Sequence, residues 1–121
     1  MSRPLTGVPL LTAQGLMKSF FKGRAEIPVL RGVDLTIHEG ETIAVTGASG
    51  AGKSTLLHVL GTLEPPSRGK VGYGPEKKDL FKMKEAELSE FRNKAMGFIF
   101  QFHYLLPEFT ALENVMLPLE L

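Results

Sequence analysis

Apolar and polar residues alternate along the first part of the chain, a pattern typical of β-strands with one buried face. The alternation is mixed over residues 8–21, where we predict a first strand. A second predicted strand covers residues 29–37, in which Val33 begins a strict alternation of apolar and other residues. The polar, broken segment 22–28 predicts a hairpin loop between them. The chain is therefore expected to begin with two antiparallel strands.

A strand–loop–helix unit is predicted next. Residues 41–46 form a short, β-branched apolar run that predicts a buried strand. Residues 53–60 carry leucine and valine at positions that give a helix an apolar face. The segment 61–69 is dense in glycine and proline and is expected to end that helix.

The remaining sequence predicts shorter elements. Residues 70–73 favour a short strand, and the charged segment 83–94, with its spaced apolar residues, favours an exposed helix. The aromatic run 97–100 is typical of a buried strand, and a loop is expected to follow over 101–107. The sequence Thr110-Ala-Leu-Glu113 fits the capping-box pattern, so another helix is predicted from about residue 111.

The loop between the predicted strand 41–46 and the following helix carries the chemistry. It fits G-x-x-x-x-G-K-(S/T), the phosphate-binding loop, at every required position. Its glycines free the backbone so that N–H groups can face phosphate oxygens, and the helix dipole adds positive potential. Lys53 would reach the β- and γ-phosphates, and the Ser54 hydroxyl would bind Mg²⁺. The alternative is a Gly/Ser-rich turn with a chance lysine. The predicted nucleotide-binding residues of the motif are Gly47, Ala48, Ser49, Gly50, Ala51, Gly52, Lys53, Ser54 and Thr55.

Composition narrows the possible functions. A length of 121 residues suits one modest domain or part of a larger one. The net charge of +1 gives no electrostatic indication of nucleic-acid binding. The absence of cysteine excludes disulfides and thiolate catalysis and agrees with a cytoplasmic location. No apolar run approaches the roughly eighteen residues of a transmembrane helix, and the N-terminus does not match a secretory signal.

Several segments together resemble the nucleotide-binding subunits of ABC transporters. They are the strand 29–37, the phosphate-binding loop, the segment 61–69 and the sequence Gly97-Phe-Ile-Phe-Gln101. Residues 97–115 are most similar to the lipoprotein-releasing group, which is related to the macrolide-export and cell-division ABC ATPases. The resemblance implies an α/β P-loop NTPase fold of ABC type, with antiparallel strands, a partial parallel core sheet and helices.

The resemblance also implies roles for individual residues. ATP and Mg²⁺ would be the ligands, with Lys53 and Gln101 as catalytic residues and Ser54 and Gln101 on the metal. Phe20 stands where the family places an aromatic ring that stacks on adenine, and Phe21 is the alternative. From the sequence alone, Phe20 also suits a strand core and Gln101 an ordinary polar strand end.

The implied partners are transmembrane subunits and a second copy of the ATPase subunit. Residues 101–109 would contact the membrane subunits, and His103 and Tyr104 within them are expected to be structural or partner-facing. The protein would then lie in the cytoplasm on the inner face of the cell membrane. The cargo would be lipoproteins leaving the inner membrane, or the substrate of an export or cell-division complex.

Part of the family's hydrolytic machinery has no counterpart in these 121 residues. There is no Leu-Ser-Gly-Gly-Gln signature, no apolar strand ending in Asp-Glu (Walker B), and no later switch histidine. We therefore expect residues 1–121 to be the N-terminal portion of a single nucleotide-binding domain. This portion would end within the helical subdomain. Such a portion would expose apolar surface and would not hydrolyse ATP alone, so a non-hydrolysing nucleotide-binding module is a second hypothesis. A small P-loop kinase or GTPase fits less well, because the phosphate-loop strand begins only at residue 41.

Overall fold

A long hairpin opens the structure, a computed structural model that describes residues 7–48, 50–101 and 105–120. Its strands are β1, Pro9–Lys22, and β2, Ala25–His38, which pair antiparallel along almost their whole length. Only residues 23 and 24 form the turn, and Gly23 at its first position has φ +64°, as a two-residue type II′ hairpin requires. The hairpin itself was predicted, and its turn is much tighter than expected.

The predicted loop over residues 22–28 is therefore wrong. Residues 25–28 continue β2 and pair with residues 19–22 of β1. The proline at position 28 made this segment look broken, but it lies beside a register shift next to Lys18 and Ser19. A residue without an N–H group is tolerated there because β2 is an edge strand of the sheet.

Four strands form one sheet in the order β2-β1-β3-β4, and every neighbouring pair is antiparallel. Strand β3, Arg68–Tyr73, confirms the short strand predicted from residue 70. Strand β4, Lys78–Asp79, leads directly into a short 3-10 helix, Leu80–Lys82. In this order, strand β1 has β2 on one side and β3 on the other.

Three α-helices complete the described structure: α1, Lys53–Leu60; α2, Glu85–Ala95; and α3, Ala111–Glu120. All three were predicted. The capping box is also confirmed, since the Thr110 N–H donates to Glu113 Oε1 at 3.0 Å and the Glu113 N–H donates to Thr110 Oγ1 at 3.1 Å. None of the helices within the described ranges is long and apolar enough to cross a bilayer.

The core lies where α1 packs on the sheet. Its fully buried side chains come from β1, α1, β3 and the 3-10 helix, and they are Leu16, Val59, Val71 and Leu80. Helix α2 has no buried residue, and its Arg92 guanidinium attaches it to the segment after α1 by donating to the Thr62 carbonyl at 2.7 Å. The core therefore holds the helix that follows the phosphate-binding loop against the sheet.

Two predicted buried strands, 41–46 and 97–100, are not found as strands. Both run without ladder pairing among the described residues, and the side chain of Ile99 is fully exposed. A strand of a parallel core sheet is defined by ladder pairing with its neighbours, and neither segment is assigned as a strand within the described ranges. The α/β class is confirmed, but the sheet that forms is antiparallel throughout.

Candidate phosphate-binding site

The loop before α1 packs directly against strand β2. Gly52 is the N-cap of α1 and has φ +99°, a left-handed conformation that favours glycine. A Cβ atom there would lie 2.9 Å from Val29 Cγ1 and 3.2 Å from the Val29 carbonyl oxygen. The absence of a side chain at Gly52 thus allows the loop to approach the edge strand of the sheet.

Lys53 folds back over the same loop. Its ammonium donates to the Gly47 carbonyl oxygen at 2.6 Å and to the Ala48 carbonyl oxygen at 2.9 Å. A turn within the loop is closed by the Ala51 N–H, which donates to the Ala48 carbonyl at 3.1 Å. The lysine therefore holds the two ends of the loop together. Ser49, also predicted to bind phosphate, lies outside the described residues.

A cavity of about 490 Å³ joins this loop to a distant part of the sequence. Besides Val29 of β2, it is lined by Gly50, Gly52, Lys53, Ser54, Thr55 and Gln101. The structure thus brings together Ser54 and Gln101, the two residues expected on Mg²⁺. Ala51 borders an adjoining cavity of about 530 Å³ that extends along β2. Hydroxyl and amide oxygens are suitable ligands for a hard cation such as Mg²⁺.

Phe98 places Gln101 near the loop. Its ring packs onto Gly61 at the end of α1, so closely that a Cβ atom at that position would collide with it. The ring also stacks on Phe100, with centroids 5.6 Å apart. The two phenylalanines of the aromatic run 97–100 are thus in contact, and Phe102 lies outside the described residues. This contact fixes the chain three residues before Gln101.

Phe20 lies on β1 directly opposite Ile27 of β2. Residues opposite each other in an antiparallel pair share a face of the sheet, and Ile27 lines the cavity along β2. Phe20 is 39% exposed, whereas Phe21 is 71% exposed and points to the opposite face. Phe20 itself does not line either cavity; its ring contacts the ammonium of Lys18. Its position supports Phe20 over Phe21 as the adenine-stacking residue, which stays a prediction.

The turn that precedes the loop segment is held by a carboxylate. The backbone N–H of His38 donates to Glu41 Oε2 at 2.8 Å, and the imidazole Nδ1 lies 3.4 Å from the same oxygen. These contacts lower the pKa of Glu41, with the backbone hydrogen bond as the largest cause. The carboxylate therefore remains an acceptor for this turn at neutral pH.

The sequence model of the ABC transporter family matches residues 30–120 of this chain. These residues include the loop, Gln101 and α3. This chain belongs to the ABC transporter family. It is 56% identical over 110 residues to the lipoprotein-releasing system ATP-binding protein LolD of Geobacter metallireducens, covering 91% of this chain and 48% of that protein. It is 54% identical over 109 residues to the LolD protein of Myxococcus xanthus, covering 90% and 48%. The chain thus spans about half the length of these curated relatives.

Solved ABC cassettes confirm the fold. A dimeric bacterial ABC transporter cassette superimposes with a TM-score of 0.83 at 37% identity, covering 92% of this chain and 47% of that one. A dimeric ATP-binding cassette in a post-hydrolysis state with ADP and phosphate superimposes with a TM-score of 0.82 at 38% identity, with the same coverage. The ABC fold class predicted from the motifs is therefore correct.

Two structural contributors were missed in the sequence, one at the phosphate-binding loop and one in the segment after Gln101. Val29 was assigned only to a strand, although it contacts Gly52 and lines both cavities. Asn114 was not singled out, although its amide bonds to the Leu106 N–H at 2.8 Å and to the carbonyls of residues 106, 109 and 110. The tendency of asparagine to bond nearby backbone groups was the available indication. His103 and Tyr104 lie outside the described residues.

Proposed function

We propose that this chain is the N-terminal half of an ABC nucleotide-binding subunit that uses ATP and Mg²⁺ to release lipoproteins from the inner membrane. The cavity shared by the phosphate-binding loop and Gln101 is the observation that carries the proposal. Residues 48 positions apart meet there, and each has the chemistry that the family's nucleotide site requires. The similarity to LolD proteins, at 54–56% identity, supports the lipoprotein-releasing branch over the export and cell-division branches.

In the proposed site, Lys53 changes partners when ATP binds. Its ammonium now neutralises the partial charges of two loop carbonyls, and phosphate oxygens carry more negative charge. The ammonium would therefore move from the carbonyls to the β- and γ-phosphates. The Ser54 hydroxyl and the Gln101 amide oxygen would hold Mg²⁺, whose charge would offset that of the phosphates. Gln101 would also orient the attacking water.

Hydrolysis would need groups from outside these 121 residues. Positioned charge around the γ-phosphate and an oriented nucleophile are both required for phosphoryl transfer. Here the loop supplies the first, and the missing signature and Walker B glutamate would supply the rest. We propose that a second copy of the subunit completes the site across a dimer, a proposal supported by the dimeric cassettes that share this fold.

The membrane partner would bind residues 101–109, on the cytoplasmic face of the inner membrane. Leu105, Leu106 and Phe109 are all exposed in this segment, and apolar side chains grouped in this way are suited to contact with a protein partner. The position of the segment directly after Gln101 would allow a change at the nucleotide to reach the membrane subunits.

Nucleotide binding and ATPase activity of the full-length protein and of residues 1–121 test the proposal. Lys53→Ala should abolish binding, because it removes the cation that meets the phosphates. Lys22→Ala, which alters an exposed lysine on β1, is the matched control and should bind normally. Turnover is expected only in the full-length protein. Binding by Lys53→Ala would refute the site, and steady hydrolysis by residues 1–121 would refute the division of the machinery.

The cargo is tested by reconstitution. The full-length protein with its membrane subunits, in proteoliposomes that contain a lipoprotein, should release that lipoprotein only with ATP. An ATPase stimulated by those subunits but unable to release lipoprotein would point to an export or cell-division role instead.

A further inference from the structure

Lys18 is buried in the sheet although it carries a charge. It is only 9% exposed, and its ammonium has three partners. It donates to the Pro65 carbonyl oxygen at 2.7 Å, lies 3.2 Å from Glu64 Oε1, and lies over the Phe20 ring at 5.2 Å from the centroid. Lysine is rarely buried unless it is paired in this way, and the last distance is within the range of a cation–π interaction.

The arrangement places the charge behind the Phe20 ring. Lys18 and Phe20 are two positions apart on β1 and therefore share a face of the sheet. That face also carries Ile27, which lines the cavity next to the phosphate-binding loop. The ammonium covers one side of the ring, while the side chain keeps 39% of its surface exposed. One face of the ring thus contacts the Lys18 ammonium, and part of the side chain remains accessible to a ligand.

The same ammonium connects the ring to the phosphate-binding loop. Glu64 and Pro65 follow α1 closely, and the loop lies at the other end of that helix. Lys18 therefore ties β1, which carries Phe20, to the segment that ends the phosphate-loop helix. This link helps to fix how far the ring lies from the loop.

We propose that Lys18 is a positioning residue for the adenine base of ATP. By fixing the orientation of the Phe20 ring, it prepares the stacking surface before ATP arrives, so less ordering is required on binding. The inference rests on the proposed function, since it assumes that the phosphates bind at Lys53. It predicts that Lys18 affects the base-dependent part of binding and leaves the phosphate-dependent part unchanged.

The test compares the affinity of the full-length protein for ATP with its affinity for inorganic tripolyphosphate, which has no base. Lys18→Met keeps the length of the side chain and removes the charge, and it should weaken ATP binding about two- to fivefold, as expected for a cation–π contact. Tripolyphosphate binding should not change. Lys18→Arg should retain ATP affinity because a guanidinium also binds an aromatic face. Lys22→Met makes the same change at an exposed lysine of β1 and should alter neither affinity.

Phe20→Leu and Phe21→Leu complete the design. Phe20→Leu should remove the difference in affinity between ATP and tripolyphosphate, whereas Phe21→Leu should leave that difference unchanged. If Lys18→Met fails to fold by thermal melting, Glu64→Gln replaces it, because an amide still accepts a hydrogen bond but holds the ammonium less tightly. This variant should likewise lower the affinity for ATP and leave the affinity for tripolyphosphate unchanged.

The outcomes separate the two proposals. Equal loss of both affinities in Lys18→Met, or no loss of either, overturns the positioning role, as does base-dependent binding that is lost in Phe21→Leu and kept in Phe20→Leu. A wild-type protein that binds tripolyphosphate as tightly as ATP overturns this inference alone. One that binds neither overturns the proposed function and this inference with it.

Discussion

Replacing Gly52 with alanine should disturb both the stability of the protein and the position of its phosphate-binding loop. The left-handed φ of +99° would cost an L-residue about 1–2 kcal/mol. The new Cβ would also lie 2.9 Å from Val29 Cγ1 and 3.2 Å from a backbone oxygen, and overpacking of this kind costs about 1–3 kcal/mol. We therefore expect the free energy of unfolding of Gly52→Ala to fall by about 2–5 kcal/mol.

Gly50→Ala is the matched control. Its φ of +81° is also left-handed, but a Cβ there would meet no atom within 4 Å, so only the conformational cost of about 1–2 kcal/mol applies. Urea unfolding of both variants, in the full-length protein without nucleotide, isolates the packing contribution as their difference. Val29→Ala should recover part of the loss in Gly52→Ala, because it removes the side-chain clash and leaves the backbone contact. Equal destabilisation by the two glycine variants, or no coupling to Val29, would refute the close packing of loop and strand.

Two further predictions concern the start of α3. The Thr110 backbone N–H, and then its side chain, lower the pKa of Glu113 from its ordinary value of 4.5, so this cap is complete above that pH and is lost as the pH falls through the lowered pKa. The NMR chemical shift of the Thr110 amide should therefore titrate with the lowered pKa of Glu113. Glu113→Gln still accepts the hydrogen bond but has no ionisable group, so it should abolish the titration. A titration that is unchanged in Glu113→Gln would contradict the assignment of this cap. Asn114→Ala should speed hydrogen exchange of the Leu106 amide, because that amide donates to the Asn114 side chain. Asn114→Asp keeps an acceptor oxygen at the same position and should have a smaller effect. Equal exchange rates in the two variants would count against the side-chain contacts.

Local patterns predicted the elements whose stabilising contacts are close in sequence. The capping box at Thr110 and Glu113 needs only residues three apart, and both of its hydrogen bonds form as predicted. Helix α1 was found because its apolar face and its glycine-rich start both lie within one short segment. For the site, the motif identified the loop, and the family resemblance identified Gln101, which the structure places on the same cavity.

Features that depend on distant partners were not predictable in the same way. The run around Ile99 has the composition of a buried strand, but no strand pairs with it among the described residues, and its side chain is exposed. Lys18 looked like an ordinary strand residue, because its partners Glu64 and Pro65 are more than forty positions away. Its spacing from Phe20 was visible, but nothing in the sequence showed that the loop after α1 would cover it.

The order of strands in the sheet has a consequence for how the protein is made. Strand β1, which is flanked on both sides, is synthesised first, and β2, β3 and β4 are then added within the residues that end at Asp79. Ribosomes add about 5–20 residues per second, whereas a hairpin forms in about 1–10 μs, so pairing is far faster than synthesis. Each new strand therefore emerges next to a finished template. The sheet that supports the phosphate-binding loop can assemble on the ribosome before translation of the chain is complete.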